Sequence, residues 1–219
     1  MIEAAVFQEK FFKYKAWILI GILIILYTVG LIGLSLEDYR EDFLGLSFVN
    51  LLISFIILLL ARYQHSLSFY VFVCFAFTIG MAAEWIGVHT GVLFGNYSYG
   101  ESLGFKLFEV PLIIGVNWVM LTVMSTSIVA KLHLHWVLRA CLSALLMLLL
   151  DIFIEPVAIV SDYWTWEGEI PLYNYMSWFI ITLFLHLIYF GVNLAEKNKV
   201  ATALYFIQLI FFIILIIRL

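Results

Sequence analysis

Apolar residues run along this chain in stretches of about twenty, parted by short polar connections. A hydrocarbon core about 30 Å thick is crossed by about 20 residues of helix rising 1.5 Å each. Seven stretches meet that length: residues 16–36, 43–61, 68–88, 107–130, 136–160, 175–194 and 200–217. The pattern predicts an all-α, polytopic integral membrane protein with about seven transmembrane helices. Little chain is left for anything else, so residues 1–219 are expected to form a single transmembrane domain.

Composition agrees. Of 219 residues, 65% are hydrophobic and only 12% charged, whereas soluble domains are about half apolar and a quarter charged. A formal charge of −4 is no footprint for a polyanion, so nucleic acid is not an expected partner. Cys74 and Cys141 lie inside apolar runs, where cysteine behaves as a small hydrophobe.

The first fifteen residues are amphipathic, and the run after them is long for a signal-peptide core and lacks a small-x-small exit, so it is expected to remain as the first span. Lys10, Lys13, Lys15, Arg62, Lys131, Arg139, Lys197 and Lys199 fall on one side of the alternating spans, and Arg40, Lys106 and Arg218 on the other. The positive-inside rule then puts the N-terminus in the cytoplasm and the protein in the cell's inner membrane. His133 and His135 fall on the cytoplasmic side as interfacial polar residues.

Ionisable groups inside spans are costly and mark function by default. Glu84, Glu109, Asp151 and Glu155 all fall in the non-cytoplasmic half. Asp151 and Glu155 are four apart and share a helix face. Pro156 cannot bond the carbonyl of Ile152, which leaves an acceptor close by. Structural ion pairing would be the ordinary explanation of such acids, but spans three to six contain one basic residue, Arg139, at the opposite end of span five. Glu109 also suits a plain interfacial position.

The acids belong to a repeated pattern. Glu84 is followed at offsets 13 and 15 by Tyr97 and Tyr99, and Asp151 at the same offsets by Trp164 and Trp166. Further on, PLxxxxxW occurs twice, ending at Trp118 and at Trp178. Spans three and four thus match spans five and six, as a parallel repeat would, with a site expected at the interface of the two hairpins. Each aromatic alone reads as a membrane-interface anchor. Clustered beside unpaired acids, they also suit an apolar ligand or a cationic intermediate. Asn117 and Asn174 read as interhelical hydrogen-bonding amides, and His186, alone in mid-span, as a packing residue.

The segments AEWIGVHTGVLFGNYSYG, FEVPLIIGVNW and LLDIFIEPVAIVSDYWTWEGEIPLYNYMSWF resemble the carotenoid biosynthesis membrane proteins of the CruF type. That family includes carotenoid 1,2-hydratases and the bisanhydrobacterioruberin hydratase. The resemblance covers about residues 81–179; spans one, two and seven carry no recognisable motif. It implies hydration of the terminal 1,2 double bond of an acyclic carotene end, of the lycopene or γ-carotene type. It points to Glu84, Gly87, Thr90, Gly91, Tyr97, Tyr99, Asp151, Glu155, Pro156, Trp164, Trp166, Asn174 and Trp178. Trp118 joins them through the repeated PLxxxxxW pattern.

Such a reaction starts with proton delivery to an alkene, for which a carboxylic acid kept neutral by an apolar pocket is suited. Asp151, deepest in its span, is the expected donor. Glu84 is expected to position and deprotonate the water, though the two roles could be exchanged, and Glu155 completes the catalytic set. Tyr97, Tyr99, Trp118, Trp164, Trp166, Asn174 and Trp178 are the expected substrate-binding residues. The chemistry demands no cofactor and no metal. The expected partners are the lipid bilayer and an acyclic carotenoid, with room for association with other carotenoid enzymes. A lycopene-type cyclase would use the same protonation, with capture of the cation by the substrate's own double bond. A non-enzymatic seven-helix transporter or binding protein is the rival from another class; a retinal Schiff base is excluded by the lack of lysine in the last two spans.

Overall fold

A computed structural model describes the backbone of residues 2–219 and the side chains of residues 14–219. The side chains of the amphipathic opening stretch, Lys10 and Lys13 among them, thus lie outside the described ones but for the last two. The chain forms α1 (Ile2–Ser35), α2 (Arg40–Gly45), α3 (Ser47–Leu60), α4 (Leu67–Thr90), α5 (Leu112–Val129), α6 (Trp136–Val160), α7 (Leu172–Gly191) and α8 (Lys199–Arg218). Between them lie the short strands β1 (Tyr97–Tyr99), β2 (Lys106–Leu107), β3 (Val110–Pro111) and β4 (Trp164–Trp166). Among the described residues six helices are long and apolar enough to cross a membrane, seven if a bent pair counts as one span. The protein is an all-α polytopic membrane protein.

The bent pair is where the expected second span differs. Residues 37–45 and α3 meet at 55° around Leu46. Gly45 is a poor helix former. Ser47 bonds back to the carbonyl of Phe43 (3.3 Å) and reaches across to the hydroxyl of Tyr163, which favours a break over a continuous helix. Span four also starts later than its apolar run. Residues 106–111 form a β2–β3 hairpin whose turn, Phe108 and Glu109, has φ of 50° and 67°, the left-handed geometry of a type I′ turn.

Local chemistry sets the helix ends. Ser66 accepts from the Phe69 amide to cap α4, and Asn198 accepts from the Val200 and Ala201 amides to cap α8. Pro111 and Pro171, the prolines of the repeated motif, precede α5 and α7 in extended conformation. Gly91 ends α4 with φ 66°, its amide bonded to Gly87.

Helix α5 is the axis of the bundle, touching α3, α4, α6, α7 and α8, and α1 packs chiefly on α8. Two of the buried hydroxyls of α5 bond back to its own backbone. Thr122 and Ser125 return hydrogen bonds to the carbonyls of Trp118 and Leu121, and Ser125 also meets the His186 ring at 2.8 Å. At the opposite end of the molecule from the strands, buried Arg62 ties two connections together. It donates to the carbonyls of Gln64 and Leu194 and to Tyr189, lies 3.7 Å over the Phe69 ring and pairs with Glu196.

Candidate functional site

Two aromatic loops meet at the ends of α4 and α6. Strands β1 and β4 pair antiparallel, with Tyr97 opposite Trp166, Ser98 opposite Thr165 and Tyr99 opposite Trp164. Beneath this ribbon, Trp118 and Trp178 stack at 4.3 Å and 11°. Of the positions that match in sequence, Ser98 meets Thr165 and Trp118 meets Trp178, whereas Tyr97 and Tyr99 pair crosswise with Trp166 and Trp164, the arrangement a local two-fold through Ser98 and Thr165 produces. The close approach depends on glycine. A Cβ on Gly87 would lie 2.7 Å from the Tyr97 hydroxyl, and one on Gly95, already at φ 113°, would lie 2.8 Å from Pro171.

Each arm of the ribbon holds an acid. Glu84, buried on α4, accepts at Oε2 from the hydroxyls of Tyr97 (2.6 Å) and Tyr99 (2.7 Å), and at Oε1 from the Trp118 indole (2.9 Å). Glu155, buried on α6, accepts at Oε1 from the indoles of Trp164 (2.8 Å) and Trp166 (2.5 Å). Its Oε2 has no hydrogen-bond partner among the described residues. Asp151, one turn earlier on the same face, is buried with Oδ2 unpartnered. Burial and, behind it, the nearby Glu84 push the Tyr97 and Tyr99 phenols up from their ordinary range, so both remain donors to that acid.

All three acids line one cavity, together with Tyr97, Tyr99, Trp164, Trp166, Asn174 and Trp178. Its volume is about 30 Å³, room for about two waters at 10–15 Å³ each. Of the expected catalytic and substrate-binding residues, Trp118 alone does not line the cavity: it is wholly buried, bonded to Glu84 and stacked on Trp178, both of which do. Glu109 is elsewhere. Its side chain is 72% exposed in the β2–β3 turn, 3.5 Å from His89, because the hairpin displaces it from the helix that its apolar neighbours suggested.

Sequence reasoning missed Phe94, Ile114 and Ile154 as cavity walls, and it read Asn117 as a helix-packing amide although it too lines the cavity. Helical spacing carried the missing signal: Ile114 and Asn117 are three apart on α5, and Ile154 adjoins Glu155.

Fold and site together define a polytopic helical membrane protein with an acid-lined, aromatic-walled pocket toward one face of the bundle. The family model described as "Carotenoid biosynthesis protein" matches residues 43–219, and the chain belongs to that family. No curated protein and no solved structure gives a match.

Proposed function

We propose that this protein is a carotenoid 1,2-hydratase, adding water to the terminal double bond of an acyclic carotene end. The observation that carries the reading is the contrast among three buried acids around one water-sized cavity. Glu84 and Glu155 receive hydrogen bonds, whereas Asp151 receives none at Oδ2. An acid with no donor to stabilise its anion is the one that keeps its proton.

Asp151 transfers that proton to C2 of the terminal isoprene unit, and the tertiary cation forms at C1. The faces of Trp164, Trp166, Tyr97 and Tyr99 lie around it, where desolvated rings can stabilise a cation by about 2 kcal/mol. A cavity water attacks C1 and gives its proton to a carboxylate. The sequence favoured Glu84 for that step. The hydrogen bonding favours Glu155, whose Oε2 is unengaged, while Glu84 is occupied on both oxygens. Glu155 then returns the proton one helical turn to Asp151, so the acids are regenerated and the sum is alkene plus water to tertiary alcohol.

Expression in a host that makes lycopene or γ-carotene should give a 1-hydroxy-1,2-dihydro product whose oxygen comes from ¹⁸O-labelled water. Oxygen from O₂ would make the protein a hydroxylase, and a ring-closed product without oxygen a cyclase; either result overturns the reading.

A further inference from the structure

The acid cavity is too small for the chain of a carotene, but it adjoins a larger one. A cleft of about 220 Å³ lies between α1, the bent α2–α3 pair, α5, α6 and α8. It shares Ile114, Asn117, Ile154 and Trp164 with the acid cavity, so the two spaces are separated by side chains alone. Its remaining wall is mostly aliphatic and aromatic, and runs from Leu26, midway along the apolar part of α1, to Leu34 near its end. On one flank the wall is open: Val29, Leu46 and Val49, on α1 and around the bend, are 50%, 50% and 42% exposed. In a membrane that exposure faces lipid.

We propose that this cleft is the berth of the linear polyisoprenoid chain, which slides in sideways from the bilayer between α1 and the α2–α3 bend and presents its end to the acids across Ile114 and Trp164. The inference rests on the reading that the acid pocket works on a carotenoid end, but not on which reaction follows. A chain already dissolved in lipid need not cross water to reach such a berth. The break at Leu46 contributes to the opening: a straight second span would run past α1, whereas the 55° turn leaves the flank lined by Phe43, Leu46 and Val49.

Gly30 is the handle for a test. It lines the cleft, and a Cβ there would meet only Asn50 and Phe211 at ordinary distances, 3.6 and 3.7 Å. Gly30→Leu therefore fills the space without striking backbone. Gly21, on the same helix with nothing within 4 Å, gives the control Gly21→Leu. Val49→Trp narrows the mouth from a half-exposed position with little burden on folding. The full chain in lipid nanodiscs is titrated with lycopene, and visible circular dichroism is recorded, because an achiral polyene acquires a signal when a protein site holds it.

The wild-type protein and Gly21→Leu should show the induced signal with the same midpoint. Gly30→Leu and Val49→Trp should weaken binding about tenfold or more, the scale of overpacking a filled site. An induced signal that neither variant weakens, or no signal in the wild-type protein, overturns the proposal; should Gly30→Leu misfold, Val49→Trp decides. If the binding pattern holds and no hydrated product forms, the berth stands and the hydration reading fails.

Discussion

Glu84 and Asp151 precede the two aromatic loops at the same offsets in sequence, yet their surroundings differ in kind. One is enclosed by three donors from Tyr97, Tyr99 and Trp118, and the other has an oxygen that nothing approaches. Asp151→Asn keeps size and polarity but cannot deliver a proton. It should lower turnover by about 10² or more, at the scale of general acid catalysis, while thermal unfolding in detergent stays near that of the wild-type protein. Unchanged turnover would remove Asp151 from the chemistry. Tyr97→Phe should instead act on stability, costing about 1–3 kcal/mol for the buried hydrogen bond lost, read as a lower unfolding midpoint. The acids were legible because a carboxylate in an apolar run is conspicuous. Their partners were not. The equal offsets pointed Trp164 and Trp166 to Asp151, but both indoles bond Glu155. Residues four apart on one helix share a face, and linear spacing cannot say which of the two a folded-back loop will reach.

At the scale of elements, the β1–β4 ribbon fixes the distance between the arms. Its central residues, Ser98 and Thr165, are directly opposite on the exposed side with their hydroxyls 3.3 Å apart, and opposite antiparallel positions have Cα atoms about 4.5–5.5 Å apart, within the range a disulfide bridges. A Ser98→Cys, Thr165→Cys double variant should oxidise to an internal disulfide, detected as a linked peptide by mass spectrometry, without loss of activity. Failure to link under oxidant would mean that the loops do not pair as described. The long helices could be read from apolar length. The bend at Leu46 and the β2–β3 hairpin could not, because both interrupt apolar runs. A hydropathy pattern responds to side-chain transfer, whereas these breaks come from Gly45, from the hydroxyl of Ser47 and from two left-handed residues.

Across the whole molecule, the site at one end and the Arg62 cluster at the other divide the work. Arg62 joins the α3–α4 connection to the α7–α8 connection through Leu194, Tyr189 and Glu196. Arg62→Met should cost about 3–5 kcal/mol, the range for breaking a buried charged network. The measurement is detergent-resistant unfolding, with kcat per folded molecule expected to be unchanged. A fall in kcat without loss of stability would couple that end to the pocket. Sequence placed Arg62 among the charges that orient the chain, but a side chain's reach across helices is a tertiary property that topology counting does not see.

Donor and acceptor on a single helix have a stereochemical consequence. Asp151 and Glu155 project from one face of α6, one turn apart, so an alkene lying against that face meets its proton and its water from the same side. In D₂O the addition should be suprafacial, leaving one configuration at the deuterated C2 and, with a labelled methyl group, one at C1. A second acid supplied by the opposite hairpin would make the addition antarafacial, so the configuration at C1 relative to that at C2 records which of the two glutamates takes up the proton.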